Sequence, residues 1–441
     1  KGDVTVMIGP RSALFTPFSD LGLIVIDEEH EPTYKSEQVP RFHARETAIE
    51  RARMEHACVV LGSATPSLEA FYACESGKYE LLRLKNRSMK QSLPEVYVTD
   101  MREELKKGNR SILSDRLKEL MEDRLQKKEQ MMLFLNRRGY AGFVSCRACG
   151  YVVKCPHCDV SLSVHRGGKM VCHYCGYETA GVQNCPSCGS PYIGGFRAGT
   201  QQIEELVKRQ FPQARVLRMD LDTTKNKGGH EKILAQFADE EADIMIGTQM
   251  IVKGHDFPNV TLVGVLAADM SLYSDDYRSG ERTFQLLTQA AGRAGRGRSK
   301  GEVVIQTYSP DHYSIQMAAK QDYEGFYEKE MNYRDLMGYP PAAQLMAVLM
   351  TGADEEMLQT AAEYLKKYAI RVMDEGTCQV IGPASPYVGK VNDVYRKILY
   401  LKSEDYQMLI RIKNHMERYI EINRGFANMR IQFDFNPMSV F

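Results

Sequence analysis

An α/β fold built on parallel sheets, carrying a cysteine-rich insertion and ending in a small α+β domain, is what the sequence predicts. Three observations carry it. Short continuous apolar runs recur along the chain, and each ends in polar residues. Eight cysteines fall in one stretch as four pairs with two-residue gaps. The final stretch alternates strand-like and helix-like patterns in the order βαββαβ.

The apolar runs come first. They are Leu21–Ile26 before Asp27, Cys58–Leu61 before Gly62-Ser63, and Met131–Leu135 before Asn136-Arg137-Arg138. Val216–Met219 before Asp220, Ile244–Ile246 before Gly247-Thr248, Val260–Leu266 before Asp269 and Val303–Ile305 before Gln306 follow. Runs without alternation mark strands buried on both faces, which is the pattern of parallel sheets. Helical stretches lie between them at Ala44–Glu55, Asp115–Lys127, Gln201–Gln210, His230–Phe237 and Glu281–Ala291. Ligands of such sheets bind beyond the carboxyl ends of the strands, so the chemistry is expected at the polar residues just named.

The chain has 441 residues, enough for two to four domains. Apolar residues are 43% and charged residues 26%, which excludes a disordered or collagenous chain. No apolar run approaches the roughly 18 residues of a membrane span. The chain opens Lys1-Gly2-Asp3 with no apolar leader, and a piece of a longer protein without a signal peptide, acting in the cytoplasm, is expected. Lys+Arg and Asp+Glu number 57 each, so bulk charge gives no argument for nucleic acid, and any such binding must be local. Trp is absent, so stacking falls to Tyr, Phe and His.

The clustered cysteines are Cys146, Cys149, Cys155, Cys158, Cys172, Cys175, Cys185 and Cys188. Disulfide frameworks belong to small secreted chains, whereas two-residue gaps place both sulfurs on one metal. Two zinc ions per chain, each held by four thiolates, are the economical reading, with iron–sulfur as the competitor. The inner pairs Cys155/Cys158 and Cys172/Cys175 have zinc-ribbon spacing. The outer pairs Cys146/Cys149 and Cys185/Cys188 would close over them. Sequential pairing would be cramped. Gly150, Gly176 and Gly189 follow three of the pairs, where a knuckle needs positive φ. His157, His165 and His173 read as surface residues rather than ligands. The module is in part a folding staple. A slight basic excess, with Tyr151, Tyr174, Tyr177 and Tyr192 interleaved, also suits strand separation or partner docking.

Asp27-Glu28-Glu29-His30 follows a buried strand. An Asp there can hold Mg²⁺ through water and a Glu can polarise an attacking water. The alternative is an acidic helix N-terminus. Ser63-Ala64-Thr65 alone is only a turn. Gln289 opens a glycine-broken helix end that throws Arg293 and Arg296 forward, suited to phosphate or transition-state contact. A loop for any anion is the plainer alternative.

Taken in order, Asp27-Glu28-Glu29-His30, Ser63-Ala64-Thr65, Gly247–Asp256 and Gln289-x-x-Gly292-Arg293-x-Gly295-Arg296 resemble motifs II, III, V and VI of superfamily 2 helicases. The cysteine insertion narrows the resemblance. So do Phe134–Ala141 before it and Gly199–Leu206 after it. The chain resembles, over essentially its whole length, the bacterial replication-restart helicases of the primosomal protein N′ family. That resemblance implies two RecA-like lobes, the first truncated at 1–111 and the second over 112–330. It implies a zinc module inserted at 144–196 and a C-terminal domain over 338–441.

The resemblance also implies roles. Asp27 and Glu28 match the Mg²⁺ and water-activating pair. Ser63 and Thr65 match the motif that couples hydrolysis to DNA. Thr248, Lys253, Gly254 and Asp256 match the motif that bridges DNA backbone and nucleotide. Gln289, Arg293 and Arg296 match the arginine-finger motif, with Arg296 as the finger. The segment from His30 to His43, with Tyr34, Lys35, Arg41 and Phe42, resembles an aromatic-rich loop that senses single-stranded DNA, unless its rings merely pack the loop. The nested zinc pairing agrees with the family's.

The implied activity is ATP- and Mg²⁺-dependent 3′-to-5′ DNA unwinding in replication restart and primosome assembly at stalled forks. The implied partners are forked and single-stranded DNA, single-stranded DNA-binding protein and other primosome proteins, with a monomer expected. One departure matters. No Gly-x4-Gly-Lys-Ser/Thr phosphate loop occurs anywhere. The expectation is a carboxy-terminal portion without ATPase activity by itself. A non-catalytic, zinc-stapled DNA-binding and assembly platform is the alternative.

After a helical stretch around Met331–Met337, Gly338-Tyr339-Pro340-Pro341 reads as a linker. The βαββαβ order that follows is ferredoxin-like, a superfold that implies no function. Its loop Gly382–Val394 carries Lys390 and leads to Arg396 and Lys397, which either meet DNA or are simply solvated.

Overall fold

The computed structural model describes residues 4–84, 93–135, 143–158, 160–165, 168–194, 199–220, 222–224, 228–252, 257–274, 276–297, 300–374 and 376–438. It has the expected class: parallel α/β units, an inserted cysteine module and a C-terminal α+β domain.

The first unit is small. Leu23–Ile26 pairs in parallel with Cys58–Leu61, in register from Leu23↔Cys58 to Ile26↔Leu61. Helix Ala44–Glu55 is the crossover. It buries Ala44, Ala48 and Ala52, spaced four apart on one face. Helix Leu68–Glu75 follows, capped by the Ser67 hydroxyl accepting from the Ala70 amide.

The second unit is a six-stranded, all-parallel sheet. Its order is Val216–Met219, Ile244–Gly247, Gln130–Leu135, Val260–Leu266, Glu302–Thr307 and Glu95–Asp100. The continuous apolar runs are explained by its two covered faces. Met132 and Phe134 join one core layer, with helices Gly229–Ala238, Ser279–Ala291, Tyr313–Lys320 and Tyr323–Met337. Met131, Leu133 and Leu135 join the other, with helices Asp115–Lys127 and Thr200–Gln210. Alternate side chains of one strand feed opposite layers, so Met131 to Leu135 are all apolar, and the sheet's buried polar residues such as Gln130 and Gln306 sit at strand ends.

One boundary differs from expectation. Residues 95–100 fall within the span expected for the first lobe. Glu95–Asp100 instead forms the edge of the second sheet, paired from Glu95↔Glu302 to Asp100↔Thr307. Its letters alternate rather than run apolar, as suits a half-covered edge strand. Leu68 and Phe71 also enter the second sheet's core layer, so the two units share packing.

The C-terminal domain has strands Gln344–Gly352, Gln379–Ala384, Val394–Ser403 and Arg430–Phe435 and helices Glu355–Val372 and Tyr406–Ile422. The sheet order is Gln379–Ala384, Val394–Ser403, Gln344–Gly352, Arg430–Phe435, antiparallel throughout. This is the ferredoxin-like arrangement. Both helices close one core, with Leu358, Leu365, Leu409 and Met416 buried against Val348 and Leu399.

Gly338–Pro341 is not a free linker. Gly338 ends the preceding helix in the left-handed region at φ +61°. Tyr339 is buried, with its ring stacked on Tyr277 at 4.5 Å. The turn is a packed joint between units.

Candidate nucleotide and zinc sites

The eight cysteines gather into two four-thiol groups: Cys146, Cys149, Cys185 and Cys188, and Cys155, Cys158, Cys172 and Cys175. This is the nested pairing. Strand Ser145–Cys146 pairs with Ile193–Gly194 and brings the outer pairs together across the inner ones. Within each group the sulfurs lie within 4.8 Å of one another. Cys146 to Cys188 is 3.7 Å, and Cys149 to Cys185 and Cys155 to Cys175 are each 3.6 Å. A tetrahedron with Zn–S bonds of about 2.3 Å has edges of about 3.8 Å, so the donor sets fit zinc.

The knuckles follow the glycine argument. Gly150, Gly176 and Gly189 have φ of +79°, +79° and +72°. Their amides donate to Cys146, Cys172 and Cys185 carbonyls at 2.8, 2.9 and 2.8 Å. At Gly150 a Cβ would also sit 2.3 Å from the Tyr308 carbonyl oxygen, on the second sheet's side.

The two groups sit in different surroundings. The inner one shares a hydrophobic core with the C-terminal domain. Tyr174 is buried there, stacked on Tyr400 at 5.0 Å. In the outer group Cys188 is exposed. Tyr151 and Tyr192 are exposed, whereas Tyr174 is unavailable to a strand of nucleic acid. Of the three histidines, none joins a four-thiol group. His157 is exposed, but His173 is buried and its Nδ1 lies 2.9 Å from the Ser385 carbonyl. The surface expectation fails for His173, because the C-terminal domain covers it.

At the carboxyl ends of the first unit's strands a second cluster forms. Asp27 follows strand Leu23–Ile26 and Ser63 follows strand Cys58–Leu61. The Asp27 carboxylate accepts from the Glu28 amide at 2.9 Å, and Glu28 takes φ +47°. Gly62 lies beside it, where a Cβ would be 3.5 Å from Asp27 Oδ1. His30 is buried and links three elements. Its Nδ1 is 2.7 Å from Ser63 Oγ and 3.6 Å from Glu28 Oε2. Its Nε2 is 2.9 Å from the Gln289 amide Nε2. The amide donates, so Nε2 accepts and Nδ1 carries the proton toward Ser63. Residues expected in three separate motifs thus meet at one imidazole.

Comparisons with known proteins bear on this arrangement. Residues 155–179 match the family described as PriA DNA helicase Cys-rich region domain. Residues 195–298 match the helicase conserved C-terminal domain, and 335–438 the primosomal protein N C-terminal domain. The replication restart protein PriA of Bacillus subtilis is 48% identical over 99% of this chain and 54% of its own length. That of Synechocystis is 41% identical over 100% of this chain and 53% of its own. That of Rickettsia felis is 37% identical over 99% of this chain and 67% of its own. The chain belongs to the PriA family. It spans about half the length of the Bacillus and Synechocystis relatives.

The other motif positions of this PriA-family chain are placed as follows. Thr65 is buried, and its hydroxyl has no hydrogen-bond partner among the described residues. Its amide donates to Ser63 Oγ at 3.0 Å. Thr248 is half-buried at the end of strand Ile244–Gly247. Lys253, Gly254 and Asp256 lie outside the described residues. Arg293 is half-buried, and Arg296 is exposed with its Nε donating to the Gly292 carbonyl at 2.8 Å. Between them Gly295 has φ +72°, and a Cβ there would fall 2.3 Å from the Gly301 amide nitrogen, so only glycine fits.

The aromatic segment is placed as follows. Tyr34 is half-buried and donates to the Asp27 carbonyl at 2.7 Å. Phe42 packs edge-on against Phe15 at 5.1 Å. Lys35, expected in the loop that senses single-stranded DNA, is buried and ion-paired with Asp434 at 2.9 Å. Beyond the loop Gly382–Val394, Lys397 is engaged locally, with its Nζ donating to Ser385 Oγ at 3.0 Å.

Sequence reasoning missed a buried network beside the motif cluster. Glu281 accepts from the Leu68 amide at 3.0 Å, so a residue of the second unit caps a helix of the first. Glu281 also accepts from Arg334 at 3.1 Å, and Arg334 donates to Glu330 at 2.8 Å. Arg278 donates to Glu69 at 2.5 Å. Both guanidiniums lie over the Tyr277 ring, at 4.8 and 4.9 Å. Glu29 caps the same region, accepting from the Ser67 amide at 2.6 Å and from Arg45 at 3.1 Å. Burial pushes the Glu69 carboxyl up, but Arg278, Arg45 and Arg334 overcome it and hold the group low. The available signal was a pair of charges, Arg278 and Glu281, bordering an otherwise apolar helix face.

Proposed function

We propose that the protein is an ATP-dependent 3′-to-5′ DNA helicase acting in replication restart and primosome assembly at stalled forks. The observation that carries this reading is the junction at His30, where Glu28, Ser63 and Gln289 converge. A junction of that kind lets a change at the nucleotide reach the DNA-binding side. Family membership supports it, through relatives named replication restart proteins.

In this reading Asp27 holds Mg²⁺ through water, and Mg²⁺ supplies charge neutralisation on the phosphates. Glu28 orients the attacking water. Arg293 and Arg296 reach nucleotide bound on the first lobe, with Arg296 as the finger. Ser63, Thr65 and Thr248, with Lys253, Gly254 and Asp256, couple that chemistry to single-stranded DNA, and Tyr34 and Phe42 stack on bases. Stacking of this kind contributes about 1–3 kcal/mol per base. Polarity of translocation is carried by the resemblance. The partners are forked and single-stranded DNA, single-stranded DNA-binding protein and other primosome proteins, and the protein acts as a cytoplasmic monomer. No helix among the described residues is long and apolar enough to cross a membrane.

The test is Glu28→Gln in the full-length protein. DNA-stimulated ATP hydrolysis is expected to vanish while oligonucleotide binding stays. Retained turnover would remove Glu28 from the reaction.

A second reading applies to the 441 residues by themselves: a non-catalytic, zinc-stapled binding platform. What favours it is the absence of a Gly-x4-Gly-Lys-Ser/Thr sequence within them. DNA-stimulated hydrolysis by these residues at a rate like the full-length protein's would sink it.

A further inference from the structure

We propose that Asp434 is a positioning residue that latches the segment 30–43 to the C-terminal domain when DNA is absent, and that a nucleic-acid phosphate is the anion that displaces it. The proposal rests on the helicase reading above for its DNA, but the latch itself rests on geometry.

Asp434 lies on the last strand, Arg430–Phe435, and is buried. Lys35 Nζ sits 2.9 Å from its Oδ1, and Arg41 Nη1 donates to its Oδ2 at 3.0 Å. Lys35 Nζ also donates to the Phe435 carbonyl at 2.9 Å. The two cations come from opposite arms of one closed loop. Lys35 bridges His43, and the Ser36 amide donates to the Phe42 carbonyl at 2.8 Å. One carboxylate of the C-terminal domain therefore pins both arms.

The other side of the loop is tied to the hydrolysis motif. Tyr34 donates to the Asp27 carbonyl at 2.7 Å. His43 caps helix Ala44–Glu55, whose Arg45 holds Glu29 at 3.1 Å. Any shift of the loop against Asp434 is thus felt at Asp27, Glu28 and Glu29.

The charge balance says what can release it. Arg396, two strands away on Val394–Ser403, feels the Arg41 charge, and burial together with Arg41 pushes it below the ordinary arginine range. Lys35 and Arg41 meet one carboxylate, so the pair of cations outnumbers the anion they share. Breaking a buried pair by removing one partner is costly, because a charge is left unpaired. Supplying a second anion avoids that cost. A phosphate diester offers two oxygens in the geometry that a carboxylate offers to Lys and Arg.

The experiment uses the full-length protein. Asp434→Asn keeps shape and removes charge. DNA-free ATP hydrolysis is expected to rise at least fivefold, and the maximum with an oligo-dT strand to stay within twofold of wild type. The stimulation ratio therefore falls, and Asp434→Glu restores it. An unchanged ratio overturns the latch. Hydrogen exchange needs no variant: oligo-dT should raise exchange in 430–435 and alter it in 30–43 together. Unchanged exchange at 430–435 also overturns the proposal. If the wild-type protein shows no DNA-stimulated hydrolysis, the helicase reading fails. The latch is then decided by whether Asp434→Asn alone raises exchange in 30–43, and no rise overturns it.

Discussion

The Gln289 amide nitrogen sits 2.9 Å from Nε2 of His30, and the other ring nitrogen of His30 sits 2.7 Å from Ser63 Oγ. The imidazole therefore touches both the Ser-Ala-Thr turn of the first unit and the glycine-broken helix of the second. His30→Ala removes both bonds. At about 0.5–1.5 kcal/mol each, the loss corresponds to roughly tenfold in DNA-stimulated turnover of the full-length protein. Oligonucleotide affinity in the absence of nucleotide should change less than twofold. Steady-state hydrolysis and fluorescence anisotropy measure the two. Equal losses in both would assign His30 to folding rather than coupling.

Metal analysis should find two zinc ions per chain. The two sites should differ on removal. Cys172→Ser opens the inner group and unseats Tyr174 from Tyr400, so hydrogen exchange should rise across 379–384 and 394–403. Cys188→Ser opens only the exposed corner of the outer group and should leave those strands unchanged. One zinc in the wild type, or iron, would overturn the metal reading.

Arg334 is fully buried between Glu281 and Glu330, with a further bond of 2.6 Å to the Pro340 carbonyl. Arg334→Met leaves Glu330 buried without this cation and leaves Glu281 facing the more distant Arg278, at 3.7 Å. Removal of one partner from such a set costs about 3–5 kcal/mol. Chemical denaturation should show it, and a cost below about 1 kcal/mol would mean the cavity admits water freely.

A buried histidine, His43, and a half-buried one, His312, cap helices. His43 Nδ1 accepts from the Arg45 amide and His312 Nδ1 from the Ser314 amide, each at 3.2 Å. Both caps need a neutral ring. Burial pushes His43 down to about 3, with Arg45 adding to it, and His312 down to about 4, with Lys154 adding to it. A histidine depressed in the folded state contributes stability above its unfolded value, near 6.5, and loses it as pH falls toward the folded value. Stability should therefore decline between about pH 6.5 and 4, by up to roughly 1.4 kcal/mol per pH unit for each ring. Asn at both positions caps without titrating, and the double variant should flatten that slope. An unchanged slope would assign the acid loss to other groups.

Much of this protein was legible in its letters. The continuous apolar runs placed the parallel strands, because in the second sheet both faces are covered. In the first unit Leu23–Ile26 and Cys58–Leu61 are parallel but part-exposed, so burial on both faces fails there. The two-residue gaps and their spacing placed the eight thiols in two nested sets, because knuckle geometry is local. Asp27, Ser63 and Gln289 were visible as strand or helix ends.

What only the tertiary structure decided is which distant charges meet. Glu281 caps a helix in another unit, Asp434 pins Lys35 and Arg41, and Tyr174 is spent on the C-terminal domain rather than left for nucleic acid. None has a sequence signature, because a buried ion pair is fixed by two surfaces arriving together and not by the spacing of either. The edge strand Glu95–Asp100 was hidden for a related reason. Its pattern is half-polar by itself, and only its pairing with Glu302–Thr307 makes it part of the second sheet. Local rules fixed the elements and the metal ligands, and long-range packing fixed how the elements are coupled.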